Sequence, residues 1–160
     1  MGSGPKGPYT ESQPYSHLYS VEKSMHQKDI KAGIYHDGHY DRNPTAKKLN
    51  EMISGNYIGD KHTNIIMPYV IDKNGDIIVG KRNGNGRDGP ATPHPTLIGG
   101  RSPKVQMAGM LYIQGGKIIF YDANSGHYKP NIKSMAIADK AFGKLPTVLF
   151  KRKKDIENVK

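Results

Sequence analysis

At 160 residues, 35% hydrophobic, with 19 Gly and 11 Pro, the chain has material for one ordinary core. That composition points to a turn-rich α+β domain rather than a helical bundle. Cysteine is absent, which excludes disulfides, thiolate metal sites and a Cys nucleophile. The formal charge of +10 is unevenly placed: residues 1–60 hold seven Lys/Arg and seven Asp/Glu, whereas 61–160 hold 17 and seven. A basic body behind a neutral leader suggests a polyanionic partner, RNA or DNA first.

No apolar run approaches the length a membrane span needs, and the N-terminus lacks the charged-then-apolar layout of a signal peptide. Any export is therefore expected to be directed from outside this chain. Residues 1–20 are Gly-, Pro-, Ser- and Tyr-rich without periodicity and read as a mobile leader. A short helix is expected over 21–31, where Val21, Met25 and Ile30 fall roughly on one side. The domain division is then a leader over 1–30, one basic α+β domain over 31–154, and a tail over 155–160.

His36 and His39 flank Asp37, but Gly38 disfavours the helix that would align them for a metal, and a polar turn is favoured. Asn43-Pro44 reads as a helix start, with Leu49, Met52 and Ile53 as its apolar stripe and Gly55 as its end. The β-branched run 63–71 turns through Asp72-Lys73-Asn74-Gly75 into 76–81, a hairpin signal. Pro68 inside its first strand implies an edge or a bulge. Residues 83–95 form a loop carrying Arg87 and His94, preceded by Arg82, without a phosphate-loop spacing.

Two further strand-like runs, 106–114 and 117–122, meet at Gly115-Gly116. A helix is expected over 131–142, with Ile132, Met135, Ala136 and Ala138 towards the core. A final strand is expected over 145–150, ahead of the basic Lys151-Arg152-Lys153-Lys154.

The central hairpin places His94 ahead of its first strand and Ser125-Gly126-His127-Tyr128 behind its second. A histidine accepts or gives a proton near neutral pH. RNA cleavage without a metal needs a base for the 2′-hydroxyl, an acid for the 5′-oxygen and a cation for the phosphorane. His94 and His127 are the candidate base and acid. Arg87, Arg101 or Lys129 would hold the phosphate, and Thr96, Ser125 and Tyr128 would bind or orient it. Each also has a plain structural role: a loop cap for His94, a backbone contact for His127, packing for Tyr128.

The order Val79-Gly80-Lys81, His94-x-x-Leu97, Gly99-Gly100, Ala108-Gly109, Gly116 and Ser125-Gly126-His127-Tyr128-x-Pro130 resembles a domain of plant IQ-motif-containing calmodulin-binding proteins. It is also similar to C-terminal modules of bacterial polymorphic toxins. The resemblance covers about residues 64–130. The calmodulin-binding helix of the plant proteins lies outside that domain and has no counterpart here. The Ser125–Tyr128 segment further resembles the end of barnase-like ribonucleases, where an Asp-His-Tyr segment supplies the general acid. Gly126 stands here in place of the Asp, and no paired Glu base is evident.

The resemblance implies a toxin domain secreted by a bacterium, delivered into a target-cell cytoplasm and used in interbacterial competition. Its expected substrate is RNA, with an acidic immunity protein as partner, a monomeric state and no cofactor or metal. An ADP-ribosyltransferase using NAD is the alternative enzyme, with His94 and Tyr121 or Tyr128 in its site. A non-enzymatic ligand-binding module is the third alternative.

Overall fold

The computed structural model describes residues 12–152. The fold is α+β: antiparallel hairpins with one short helix ahead of them and one behind. A one-turn 3₁₀ segment, Lys23–Met25, leads into α1 (His26–Lys31). Two miniature hairpins frame the next stretch, β1 (Tyr35–His36) with β2 (His39–Tyr40), and β4 (Ile53–Ser54) with β5 (Tyr57–Ile58). Between them β3 (Lys47–Lys48) joins the main sheet.

That sheet has five strands in the order β3-β7-β6-β8-β9. It comprises β6 (Ile65–Ile71), β7 (Ile77–Val79), β8 (Met107–Gln114) and β9 (Lys117–Tyr121) besides β3. Both hairpin signals give the expected connections. Gly75 takes φ +86°, and Gly115 and Gly116 take +60° and +73°, the left-handed geometry that glycine adopts without steric cost.

Pro68 lies in the middle strand, yet it is locally at an edge. Met110, its partner on β8, directs both its N–H and its C=O to Asp122 on the far side. The missing Pro68 N–H therefore points away from β8, and β7 pairs only from Tyr69 onward.

The two faces of the sheet bury separate cores. Met67, Tyr69, Ile71, Val79, Met107 and Leu111 pack on α2 (Met135–Phe142) and on Leu145 and Leu149. On the opposite face Val70, Ile78 and Ala108 pack with Tyr19, Val21, Tyr40, Leu97, Val105 and Tyr128.

Residues 12–30 are part of this second core rather than a loose leader. Tyr19 pairs with Val105 through both backbone groups, and its hydroxyl meets Ser134 Oγ at 2.5 Å. Gln13 Nε2 donates to the Tyr128 carbonyl, and the Glu22 N–H donates to the His127 carbonyl. The apolar Tyr19 and Val21 inside a polar segment supply the burial that ties it down. The remainder of the leader and tail, 1–11 and 155–160, and Lys153 and Lys154 of the basic run, lie outside the described residues.

Two expected elements differ. The helix from Asn43 is only a 3₁₀ turn, Leu49–Met52. Asn43 does not cap a helix. Its amide donates to the Lys81 carbonyl at 2.9 Å, and its Oδ1 accepts the Thr45 N–H at 2.8 Å, a local turn that competes with helix. The final strand is a 3₁₀ turn, Thr147–Leu149, and Phe150 alone makes a bridge to Ile118. Pro146 starts that turn, accepting the Leu149 N–H.

Candidate active site

His127 owes its position to a tight turn after β9. Ser125 Oγ accepts the Tyr128 N–H, and the Ser125 carbonyl accepts the Lys129 N–H at 2.8 Å. Lys129 follows at φ +41°. The imidazole is directed at α1, where Nε2 lies 2.9 and 3.0 Å from the two Asp29 carboxylate oxygens. Tyr40 donates its hydroxyl to the same carboxylate at 2.5 Å. Burial and then the Asp29 charge push the Tyr40 hydroxyl far above its ordinary range, so it stays a donor. A carboxylate oxygen accepts, so the His127 nitrogen that faces Asp29, Nε2, is the one placed to donate.

His94 opens a 3₁₀ turn, His94–Leu97, entered from Pro93. Its Nε2 lies 2.7 Å from the Gly109 carbonyl of β8. A carbonyl only accepts, so Nε2 carries the proton here too. No protein group among the described residues bonds Nδ1 of either ring, and neither nitrogen is sealed away from solvent. Nδ1 is therefore the nitrogen that each imidazole can offer to a ligand.

Both rings line one cavity of about 410 Å³, in the size class of small-ligand sites. Its floor is the open part of the second sheet face, Ile66, Pro68, Met110 and Tyr112, and Asn124 and Thr92 complete the wall. Lys28 and Arg82 supply its positive charge, and neither is ion-paired with a carboxylate among the described residues. The preceding loop is pinned by Thr92, whose hydroxyl accepts the Gly84 N–H and donates to the Arg82 carbonyl.

Burial lowers the His94 pKa from 6.5 to about 4, with the Gly109 carbonyl opposing and the His127 charge adding to the fall. Unfolded chain takes this proton near 6.5 and folded chain only near 4. Stability from this group is therefore complete above about pH 6.5 and lost as pH falls through about 4, on the order of 3 kcal/mol. Urea unfolding of wild type and His94→Gln across that window should show an acid loss smaller by this amount in the variant. Identical acid limbs would show that the ring is not the cause.

The other expected ligand-binding residues stand elsewhere. Arg87 is at the surface beside Asp88. Arg101 reaches the Asp37 carbonyl and lines a different cavity with Lys23, His26, Tyr35 and Lys104, behind Tyr40. Thr96 is buried, donating to the Pro93 carbonyl at 2.6 Å. Ser125 shapes the turn, and Tyr128 is sealed in the second core with its hydroxyl on the Pro103 carbonyl. Lys129 is not among the residues lining the 410 Å³ cavity. His36 bonds Asp41 at 3.1 Å, and Asp37 and Gly38 form a left-handed turn beside it. No group of three His, Cys, Asp or Glu side chains placed to hold a metal occurs among the described residues.

Asp29, Tyr40 and Lys28 are the site residues that sequence patterns do not mark. No protein-family model, curated protein or solved structure matches the chain.

Proposed function

We propose that the chain is a bacterial toxin domain that cleaves RNA by histidine acid–base chemistry. The convergence of His94 and His127 on one cavity, with Lys28 and Arg82 as its cations, carries this conclusion. The low pKa of His94 keeps it neutral at physiological pH, so it acts as the acceptor and not as the acid. Its Nδ1 takes the proton of the 2′-hydroxyl as that oxygen attacks phosphorus. His127, paired with the Asp29 carboxylate when it carries a second proton, gives the Nδ1 proton to the departing 5′-oxygen. The P–O5′ bond breaks, leaving a 2′,3′-cyclic phosphate and a 5′-hydroxyl. Lys28 and Arg82 offset the charge that builds on the phosphorane oxygens.

Both proton transfers are supplied by imidazoles, so metal-independent action is expected. The test is purified chain with total RNA in EDTA, followed by end-group analysis. Cyclic-phosphate ends are expected, and intact RNA at high protein concentration overturns the proposal. Delivery into a target cell and an acidic immunity protein over the basic body complete the proposal. Such a partner should bind fast at low salt and block cleavage.

NAD-dependent transfer has less support. Tyr128 is fully buried, and Tyr121 stacks on Phe142 while its hydroxyl donates to Asp139 at 2.6 Å. The Tyr128 ring is closed to a nicotinamide, and one face of the Tyr121 ring is already taken by Phe142.

A further inference from the structure

The floor of the cavity continues outward into an exposed apolar strip. Ile66, Tyr112 and Phe120 stand in register across β6, β8 and β9. Ile66 is 45% exposed and Phe120 39% exposed, among the largest apolar groups that meet solvent. The Tyr112 and Phe120 rings stack with centroids 4.2 Å apart and planes 11° from parallel. Strand order places Phe120 on one flank of Tyr112 and Ile66 on the other. Ile66 and Tyr112 both line the cavity, so the ring face of Tyr112 away from Phe120 looks onto the site.

We infer that the stacked pair is a base-binding platform for a single-stranded nucleic acid, an inference that rests on the nucleic-acid substrate proposed above. A base laid over Ile66 against Tyr112 meets a ring already backed by Phe120, so little side-chain freedom is lost on stacking. The backbone of the same nucleotide then runs past Arg82 and Lys28 towards the two Nδ1 atoms. An exposed aromatic strip beside Lys28 and Arg82, which have no carboxylate partner among the described residues, in a chain of net charge +10, matches a polyanion with flat apolar faces. Duplexes keep those faces stacked inside and present none of them to a ring, so the platform selects single strands.

The experiment uses the full chain and a short fluorescent all-deoxy single strand, which lacks the 2′-hydroxyl and so cannot follow the proposed cleavage route. A duplex of the same sequence is the comparison. Wild type should prefer the single strand, and Tyr112→Leu and Phe120→Leu should each weaken binding roughly 5- to 100-fold. Tyr112→Phe, which keeps the ring, should bind within about twofold of wild type. Thermal melting identifies any variant that has lost its fold, and having two leucine variants on different strands keeps the comparison open if one has.

Equal binding of duplex and single strand, wild-type affinity in both folded leucine variants, or no binding by wild type would each overturn the platform. The last two also cover a strip that serves a protein partner instead. A wild type that binds through the platform but leaves RNA intact overturns the cleavage chemistry alone. A wild type that cleaves RNA while the leucine variants bind unchanged overturns the platform alone.

Discussion

Replacing His127 by alanine should lower RNA cleavage about 10²- to 10⁴-fold, the usual range for losing one general acid. The same change should destabilise the fold, because Asp29 stays in place with only 2% of its surface exposed. Its carboxylate keeps the Tyr40 hydroxyl but loses the Nε2 donor. Breaking one side of a buried pair costs about 3 kcal/mol. Activity must therefore be normalised to the folded fraction, read from a melting curve in the assay buffer.

Asp29→Asn separates the two effects. An Asn offers one accepting oxygen and one donating NH₂ where the carboxylate accepts from both Tyr40 and His127. Either partner meets a donor, and the carboxylate charge that pairs with His127 when the ring carries both protons is gone. Cleavage should fall by a similar factor while the chain still folds. In the double variant the losses should be far from additive, because both substitutions remove one proton-carrying unit. Strict additivity would show that Asp29 and His127 act independently. Near-wild-type cleavage by folded His127→Ala would remove the ring from the mechanism altogether.

That pairing shows where sequence patterns stop being informative. The hairpins at Asn74-Gly75 and Gly115-Gly116 are local events, set by a period of two and by glycine at positive φ, and both are legible. His94 and His127 are legible as polar residues at the ends of one hairpin. Asp29 is not. It sits 98 residues from its partner, on a short expected helix that directly follows the linker-like stretch 1–20. The docking of Tyr19 on Val105 and of Glu22 on His127, contacts far apart in sequence, helps carry α1 to the site. Lys28 arrives with it. For Tyr128 the sequence leaves ligand contact and packing both open; adjacent residues diverge at a turn, and its ring enters the second core. The expected strand at 145–150 failed through short-range chemistry: the Pro146 and Thr147 carbonyls accept N–H groups three residues on, closing turns instead.

Gly109 of β8 stands where a second stretch of backbone comes too close for any side chain. A Cβ at this position would lie 1.8 Å from the Asp122 carbonyl oxygen and 2.9 Å from the Tyr69 ring. Neither neighbour can yield cheaply. That oxygen accepts the Tyr69 hydroxyl at 2.7 Å, and the Asp122 carboxylate receives the Met110 and Asn124 N–H groups. Gly109→Ala should therefore cost about 3 kcal/mol, lowering the melting temperature by on the order of 10 °C.

Gly75→Ala is the proper comparison. Its φ is +86° but nothing lies within 4 Å, so only the left-handed penalty of about 1 kcal/mol applies. The larger consequence of Gly109→Ala lies in the site, since the Gly109 carbonyl holds His94 and the displaced Asp122 leads directly into the His127 turn. One methyl group thus disturbs the anchors of both imidazoles. Molecules that remain folded should have lost cleavage by more than tenfold, whereas Gly75→Ala should melt slightly lower and cleave like wild type. If Gly109→Ala instead melted like Gly75→Ala and kept its activity, the close approach of β8 to the Asp122 backbone could not be what fixes the site.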